Sequence, residues 1–239
     1  MLKLVSFDVW DTLLSIKIFY KSISEELSKI TGKSQTVLEN ELFKGYREVK
    51  ALRRFGKFEG SGMVLMMLEA MSKILKVDVK ALEEATINAV EKMPREKFVI
   101  SGAREVLEVV KSFGLKTATI GNVVFWPGNY NKILLEKTGL SKFIDAQFYA
   151  DELGISKPKP EIFTKALSKF NVKPKEALHV GDSLFEDFVG AVLSHMNAAL
   201  IDKHLDKSIK LSGGNAYIIP NIKALEEIIK ELSLCGSQD

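Results

Sequence analysis

An apolar run near the N-terminus ends on an acidic residue: Lys3-Leu4-Val5-Ser6-Phe7-Asp8. Val5 and Phe7 favour extended structure, so this run is predicted to be a β-strand. In open sheets of parallel strands, ligands bind beyond the carboxyl ends of the strands. If the later strands run parallel to this one, Asp8 is a candidate functional residue.

The segment that follows has a helical pattern. Its apolar residues recur at helical spacing, as in Ile16, Phe19, Ile23 and Leu27. Gly32 suits a helix end, and Thr36 with Glu39 matches a capping box that opens a second helix. Pro94 is expected to end the last helix of this segment. Because no strand is expected between Ser15 and Met93, residues 15–94 are predicted to form an inserted, all-helical cap domain.

Beyond Pro94, short apolar runs alternate with helical segments. Strands are predicted over residues 116–120, 146–150, 178–180, 198–201 and 216–219. Helices are predicted between them, including residues 160–170 and 184–195. Strands that alternate with helices imply right-handed crossovers and a parallel sheet covered on both faces. The sequence therefore predicts a doubly wound, Rossmann-like α/β core made of residues 1–14 and 95–239.

Polar or small residues follow the later strands at four positions: Gly121, Asn122, Lys157 and Asp182. With Asp8 they are expected to converge on one crevice, because the carboxyl ends of parallel strands share one edge of the sheet. Carboxylate and carbonyl oxygens suit Mg²⁺, a hard cation that prefers oxygen ligands. A metal, a nucleophilic carboxylate and a lysine beside phosphate are typical of phosphoryl transfer through an aspartyl-phosphate.

Four segments of the chain resemble the motifs of the haloacid dehalogenase-like hydrolase superfamily. The first is Phe7-Asp8-Val9-Trp10-Asp11-Thr12-Leu13-Leu14, where the family has Asp-x-Asp-x-Thr after an apolar strand. The second is Thr119-Ile120-Gly121-Asn122, and the third is Ser156-Lys157-Pro158-Lys159-Pro160. The fourth is Gly181-Asp182-Ser183-Leu184-Phe185-Glu186-Asp187. Each motif alone is weak, but all four occur in order at predicted strand ends, over most of the chain.

This resemblance implies a metal site in the first and fourth motifs. Asp8 is the expected nucleophile and a Mg²⁺ ligand, and Trp10 is expected to offer only its backbone carbonyl to the metal. Asp182 is expected to be a further ligand, and Asp187 either a ligand or a support for the other ligands. The implied activity is Mg²⁺-dependent hydrolysis of a phosphomonoester, with a small phosphorylated metabolite as substrate.

The resemblance also implies where the phosphate group binds. Lys157 is expected to neutralise the charges of phosphate and nucleophile. Asn122 and the amides around Gly121 are expected to hold phosphate oxygens, and Thr12 is expected to steady the loop of the first motif. Gly121 departs from the family pattern, because it lacks the hydroxyl group that normally binds phosphate.

A second departure concerns the acid that protonates the leaving group in family phosphatases. Trp10 occupies its position, and family dehalogenases commonly carry an aromatic residue there. Asp11 is either a hydrogen-bond acceptor in the loop or a substitute acid–base group. Because the fourth motif keeps both acids, we favour a phosphatase over a 2-haloacid dehalogenase. A degenerate relative that binds phosphate or accepts a phosphoryl group with little turnover is the other alternative.

Three further residues outside the motifs are candidates for substrate contact. Arg53 and Arg54 are the cap cations best suited to an anionic substrate, with a solvated helix face as the alternative. Trp126, which directly follows the second motif, either walls the pocket or belongs to a turn of the chain. His179 lies in a predicted buried strand and is interpreted as a core histidine.

The composition is that of a globular protein with a substantial core. The chain has 239 residues, of which 46% are hydrophobic and 27% charged, and its net charge is +3. Interspersed charges of both signs give little reason to expect nucleic acid. No apolar run has the roughly 18 residues of a membrane span, and Asp8 comes too early for a signal peptide. The lone Cys235 excludes an internal disulfide. We therefore expect a cytoplasmic monomer or homodimer without nucleic-acid or membrane partners.

Overall fold

The computed structural model describes residues 1–60, 62–92, 98–212, 214 and 216–234. Its strands are β1 (Leu4–Phe7), β2 (Lys116–Gly121), β3 (Ala146–Tyr149), β4 (Ala177–Gly181), β5 (Asn197–Ile201), β6 (Ile209–Lys210) and β7 (Ala216–Ile219). They form one sheet in the order β3-β2-β1-β4-β5-β7-β6. The described strand pairs are parallel except β6 with β7, which is antiparallel. The strand order reverses between β1 and β4, the position at which open α/β sheets bind ligands.

Four helices lie between β1 and β2: α1 (Ile16–Thr31), α2 (Gln35–Arg54), α3 (Met63–Leu75) and α4 (Val79–Lys92). The helices of the α/β part are α5 (Ala103–Ser112), α6 (Gly128–Lys137), α7 (Ala150–Leu153), α8 (Pro160–Phe170), α9 (Gly190–Leu193) and α10 (Leu225–Leu234). A π-helical segment, Leu184–Val189, precedes α9. Short 3-10 turns occupy Ser141–Phe143, Pro174–Glu176 and Ile222–Ala224. None of the described helices has the combined length and apolar character that crossing a membrane requires.

The predicted α/β fold is confirmed, with three local differences. β6 was not predicted, because its two exposed residues show no strand pattern. The predicted helix over 184–195 begins with the π-helical segment, a geometry that often occurs at functional sites. α2 is preceded by Ser34 in an extended conformation, so Thr36 lies inside the helix and does not cap it.

The insert packs directly on the carboxyl edge of the sheet. α1 packs against α2 and α4, and α2 packs against α3. Trp10, just after β1, stacks on Phe19 of α1 with ring centroids 5.0 Å apart. Trp10 also meets Trp126 edge-on at 5.3 Å. These aromatic contacts hold the helices of the insert over the end of β1. Pro94 and Cys235 lie outside the described residues, and the cap boundaries at residues 15 and 94 remain a prediction.

Candidate active site

Two neighbouring strands bring two acids of the motifs to one edge of the sheet. β1 pairs with β4 in a register that places Phe7 beside Val180. The Asp8 amide donates to the Val180 carbonyl at 2.8 Å, which continues the ladder one residue beyond β1. Asp182 follows β4 directly. The two carboxylates therefore meet at the reversal point of the strand order.

A third acid and a lysine complete this cluster. One carboxylate oxygen of each of Asp8, Asp182 and Asp187 lies within 4.8 Å of the others. Lys157 Nζ donates to Asp8 Oδ1 and to Asp187 Oδ1, both at 2.6 Å, and to the Ile120 carbonyl at 2.6 Å. All three donors of the Lys157 ammonium are thus used, and the lysine links the nucleophile candidate to the fourth motif.

Asp187 is held by hydrogen bonds at both of its oxygens. Its Oδ2 accepts from the Ser183 amide at 3.0 Å, and His179 Nε2 lies 3.3 Å from the Oδ1 that Lys157 contacts. Because a carboxylate can only accept, we place the proton of His179 on Nε2, and Nδ1 then accepts from the Ser6 hydroxyl at 2.9 Å. His179 is buried as interpreted from the sequence, and it also positions Asp187.

The acids differ in how easily they ionise. Burial raises the pKa of Asp8 to about 6, although Lys157 opposes the shift. Burial together with Asp8 and Asp187 raises the pKa of Asp182 to about 8. Burial also opposes ionisation of Asp187, but Lys157 and His179 hold its pKa well below the usual range. Among the described residues, none donates a hydrogen bond to the Asp182 carboxylate. The cluster therefore has carboxylate charge that its own lysine does not neutralise, which suits a divalent cation.

Asn122 anchors the lysine of the third motif. Its Oδ1 accepts from the Lys157 amide at 2.8 Å, and its Nδ2 donates to the Lys157 carbonyl at 3.1 Å. Nδ2 also lies 3.2 Å from Glu186 Oε2. Asn122 therefore holds Lys157 in this conformation, and the expectation that it also holds phosphate oxygens stays a prediction.

Gly121 is the last residue of β2, and a larger residue does not fit there. A Cβ atom at this position would lie 2.9 Å from the ring of Tyr149 on β3. The hydroxyl expected from the family pattern is thus replaced by an aromatic ring, which fills its space. The missing hydroxyl is a consequence of packing between two adjacent strands.

The Glu186 carboxylate joins the helical insert to the sheet edge. Glu186, in the π-helical segment, lies 3.0 Å from Arg53 Nη2 through both of its oxygens and 3.0 Å from Arg54 Nε. Arg53 Nη1 also donates to the Val123 carbonyl. Lys50 Nζ lies 3.9 Å from Glu186 Oε2. We call Glu186 with Lys50, Arg53 and Arg54 the clasp. Although Glu186 is buried, these three cations lower its pKa.

The clasp covers a small cavity beside the acid cluster. The volume is about 20 Å³, room for about one water molecule. It is lined from the sheet by Asp8, Asp182 and Asp187, and from α2 by Tyr46, Lys50 and Arg53. Asp182 also borders an open pocket of about 340 Å³ on the other side, together with Lys203 and His204. In this conformation side chains of α2 in the insert cover the cavity beside the acids.

Sequence reasoning missed Glu186, Lys50 and Tyr46. Glu186 lies inside the fourth motif, but the family pattern gives functional roles only to the acids on either side of it, Asp182 and Asp187. Lys50 shares one helical face with Arg53 and Arg54, at a spacing of three and four residues. This spacing was a signal that could have been noticed. The orientation of that face toward the sheet was not available from the sequence.

Known proteins with similar sequences and folds identify the family of this chain. The family model of the haloacid dehalogenase-like hydrolases matches residues 2–192. The chain belongs to this family. It is 27% identical to haloacid dehalogenase-like hydrolase domain-containing protein 3 of Xenopus laevis, over 97% of this chain and 96% of that protein. It is 26% identical to glyceraldehyde 3-phosphate phosphatase of Methanothermobacter thermautotrophicus, over 96% and 100% of the two chains. The crystal structure of a HAD phosphatase from Thermococcus onnurineus superposes with a TM-score of 0.65, at 25% identity, over 95% and 98%.

Two residues of the first motif take structural positions in this member of the haloacid dehalogenase-like family. Asp11 adopts a left-handed conformation (φ 55°), and its Oδ1 accepts from the Ile16 amide at the start of α1, at 3.3 Å. This contact favours the role of hydrogen-bond acceptor in the loop over that of a substitute acid–base group. Asp11 is also not among the residues that line the cavity. Thr12 is fully buried, and its hydroxyl has no hydrogen-bond partner among the described residues.

Trp126 is part of the aromatic packing between insert and sheet. It is 1% exposed, and its Nε1 donates to Asn131 Oδ1 at 3.0 Å. Its ring packs against Trp10, Phe19, Tyr20 and Phe125. Neighbouring aromatic rings enclose Trp126 in this conformation, which favours a packing role over a wall of the substrate pocket, and the choice between the two alternatives stays a prediction.

Proposed function

We propose that this hydrolase is a Mg²⁺-dependent phosphomonoester hydrolase that works through an aspartyl-phosphate on Asp8. The observation that carries the proposal is the acid cluster itself. Three carboxylates converge at the reversal point of a parallel sheet, and a lysine that bonds two of them neutralises only part of their charge. A halide-displacing enzyme handles no phosphoryl dianion and has no use for that excess negative charge. The cluster therefore supports a phosphatase over a dehalogenase.

Asp8 and Asp182, with the Trp10 carbonyl, are the groups that would hold Mg²⁺. Both carboxylates have raised pKa values in the absence of a cation, and Asp182 has no hydrogen-bond donor among the described residues. The metal would neutralise charge on the phosphoryl oxygens and on the nucleophile. Asp187 has both oxygens engaged by Lys157, His179 and Ser183, so we assign it a supporting role and not a direct ligand role.

The residues of the chain then divide the reaction between them. An oxygen of Asp8 attacks phosphorus, the bond from phosphorus to the leaving oxygen breaks, and the electron pair goes to that oxygen. Lys157, which already contacts Asp8, lies where it neutralises charge on both nucleophile and phosphoryl group. Water then hydrolyses the aspartyl-phosphate and releases phosphate and free Asp8. Asn122 and Asp187 hold Lys157 in place throughout.

The helices of residues 15–94 serve as a cap over this site. In the closed conformation the cavity holds about one water molecule, so closure excludes bulk water from the phosphorylated aspartate. A small phosphorylated metabolite is the substrate class we propose, because two of the relatives described above are phosphatases by name. The phosphatase of Methanothermobacter thermautotrophicus is named for glyceraldehyde 3-phosphate, which makes three-carbon phosphates the first compounds to test.

A phosphate-release screen of the full chain against phosphorylated metabolites tests this function. Turnover is expected with Mg²⁺, is expected to stop with excess chelator, and should return when Mg²⁺ is added back. Asp8→Asn, which keeps the size of the side chain, is the control for contaminating phosphatases. Chloride release from 2-chloropropionate in the presence of chelator would instead establish the dehalogenase. Phosphate binding without turnover of any compound would establish the degenerate relative.

A further inference from the structure

The three cations of the clasp are not equivalent, although they share one face of α2. Arg53 and Arg54 each make short contacts with Glu186, and Arg54 Nη2 also donates to Ser183 Oγ at 3.2 Å. Lys50 is different. Its distance to Glu186 is 3.9 Å, beyond hydrogen-bond length, and its one hydrogen bond among the described residues is a 3.4 Å contact with the Tyr46 hydroxyl.

Lys50 is therefore a largely buried ammonium group with unused donors. Its side chain is only 18% exposed, and it lines the same small cavity as Asp8 and Asp182. An ammonium group has three donors, and leaving them unpaired away from water is costly. Burial opposes its protonation, but Tyr46, Glu186 and Asp182 together raise the pKa of Lys50, so it carries its proton before substrate binds. The same shift makes Lys50 a weaker acid than a free lysine, so it gives up its proton only to a strongly basic atom such as an alkoxide oxygen.

The position of Lys50 relative to the nucleophile defines what it can contact. Asp8 enters the cavity from the sheet, whereas Lys50 enters from α2 in the insert. In phosphoryl transfer the attacking and the leaving oxygen are roughly in line across phosphorus. A phosphoryl group attacked by Asp8 therefore directs its leaving oxygen away from the sheet, toward the insert. Lys50 and Arg53 are the two cations of α2 that line the cavity. Arg53 lies 3.0 Å from Glu186, whereas Lys50 lies 3.9 Å from it and keeps donors for another partner.

We propose that Lys50 is the acid that protonates the leaving oxygen, in the role that Trp10 cannot perform. This inference rests on the proposed phosphatase function. As Asp8 bonds to phosphorus and the bond to the leaving oxygen breaks, that oxygen takes a proton from Lys50 and departs as an alcohol. The neutral amine then takes a proton from the water that attacks the aspartyl-phosphate, which restores the ammonium. The overall reaction consumes one water molecule and yields the alcohol and phosphate.

The experiment compares two leaving groups in the full chain with Mg²⁺. Nitrophenolate leaves p-nitrophenyl phosphate without needing a proton, whereas propyl phosphate releases a strongly basic alkoxide. General acid catalysis is typically worth about 100- to 10,000-fold. Lys50→Met should therefore lower kcat/KM for propyl phosphate by about 100-fold or more, and change p-nitrophenyl phosphate hydrolysis far less. Lys44→Met, an exposed lysine of the same helix, is the matched control and should change neither.

Two further variants separate proton donation from a role of charge or packing. Lys50→Arg keeps the charge but gives up no proton, so it should be as deficient on propyl phosphate as Lys50→Met. Lys50→Ala should regain propyl phosphate turnover when methylammonium is added, which a purely structural role would not predict. Equal losses on both substrates, or full activity of Lys50→Arg, would overturn the assignment of Lys50. Mg²⁺-dependent turnover of p-nitrophenyl phosphate by the wild type, absent in Asp8→Asn, tests the phosphatase function separately.

Discussion

The two sides of the small cavity beside Asp8 have opposite charge arrangements. On the sheet side, three acids, Asp8, Asp182 and Asp187, lie together, and one lysine, Lys157, bonds Asp8 and Asp187. When all are ionised, this leaves an excess of negative charge. On the insert side, the clasp places three cations around one acid, Glu186, which leaves an excess of positive charge.

This difference explains why the two sides belong together. Each excess would be costly in a closed, buried cavity, since unpaired charges away from water are strongly destabilising. A divalent cation on the sheet side and an anionic phosphoryl group between the two sides would compensate both. Four acids and four cations surround the cavity, so the two excesses balance overall when all groups are ionised, and each remains local to its own side.

Removing the central cation of the sheet side should have the largest effect. Lys157→Met leaves two buried carboxylates, Asp8 and Asp187, without their shared partner, so we expect activity to be lost and the free energy of unfolding to fall by about 3–5 kcal/mol. The loss of stability should be smaller at pH 5 than at pH 8, because the acids are then more readily protonated. Denaturant titrations at both pH values measure it. Lys159→Met, which removes an exposed ion pair with Glu59, should cost at most about 1 kcal/mol.

Removing Glu186, the acid that the three cations of the insert surround, should come next. Glu186→Gln leaves Lys50, Arg53 and Arg54 without a carboxylate, so the free energy of unfolding should fall by up to about 3–5 kcal/mol. The loss should be smaller than this upper bound, because solvent can hydrate the partly exposed Arg54. Denaturant titration is the measurement. The double variant Glu186→Leu with Arg53→Met, which replaces the buried pair by apolar side chains, should recover part of the loss. A Glu186→Gln protein as stable as the wild type would show that the clasp does not stabilise the fold.

The dependence of Mg²⁺ affinity on pH sharpens the comparison further. The pKa values of Asp8 and Asp182, about 6 and 8, lie above the ordinary value of 3.8, so the metal-free folded state holds protons that the unfolded state releases. The protonated acids contribute stability to the metal-free protein that is fully present below about pH 4. This stability is lost as pH rises through about 6 for Asp8 and about 8 for Asp182. Mg²⁺ must displace the same protons, so its affinity should rise by about tenfold or more from pH 6 to pH 8. Calorimetric titration at both pH values tests this, and a flat profile would contradict it.

The smallest expected effect separates the two arginines of the clasp. The Arg53 side chain is 3% exposed and also donates to the Val123 carbonyl, whereas the Arg54 side chain is 36% exposed. Arg54→Met should therefore cost about 1 kcal/mol or less, and Arg53→Met clearly more. Thermal unfolding of the two variants side by side is sufficient. If Arg54→Met is the more damaging change, burial does not set the strength of the clasp.

Much of the acid cluster was predictable because it depends on strand ends. A short apolar run that ends on a polar residue defines both a buried strand and the residue at its carboxyl edge, as at Asp8 and Asp182. Parallel pairing then brings those residues together without reference to any other side chain. The contacts of Trp126 and Asn122 could not be predicted in this way, because each depends on which neighbour the side chain meets after packing.

The sequence by itself determined the α/β fold, the order of its motifs and the acids at one edge of the sheet, because these follow from periodicity along the chain. Only the tertiary structure decided that Glu186 meets Arg53, which lies 133 residues earlier in the chain, and that Lys50 enters the cavity of Asp8. The physical reason is that periodicity shows which residues share a face of α2, but not what that face contacts. Its partner is set by how the aromatic rings around Trp10 pack the insert on the sheet.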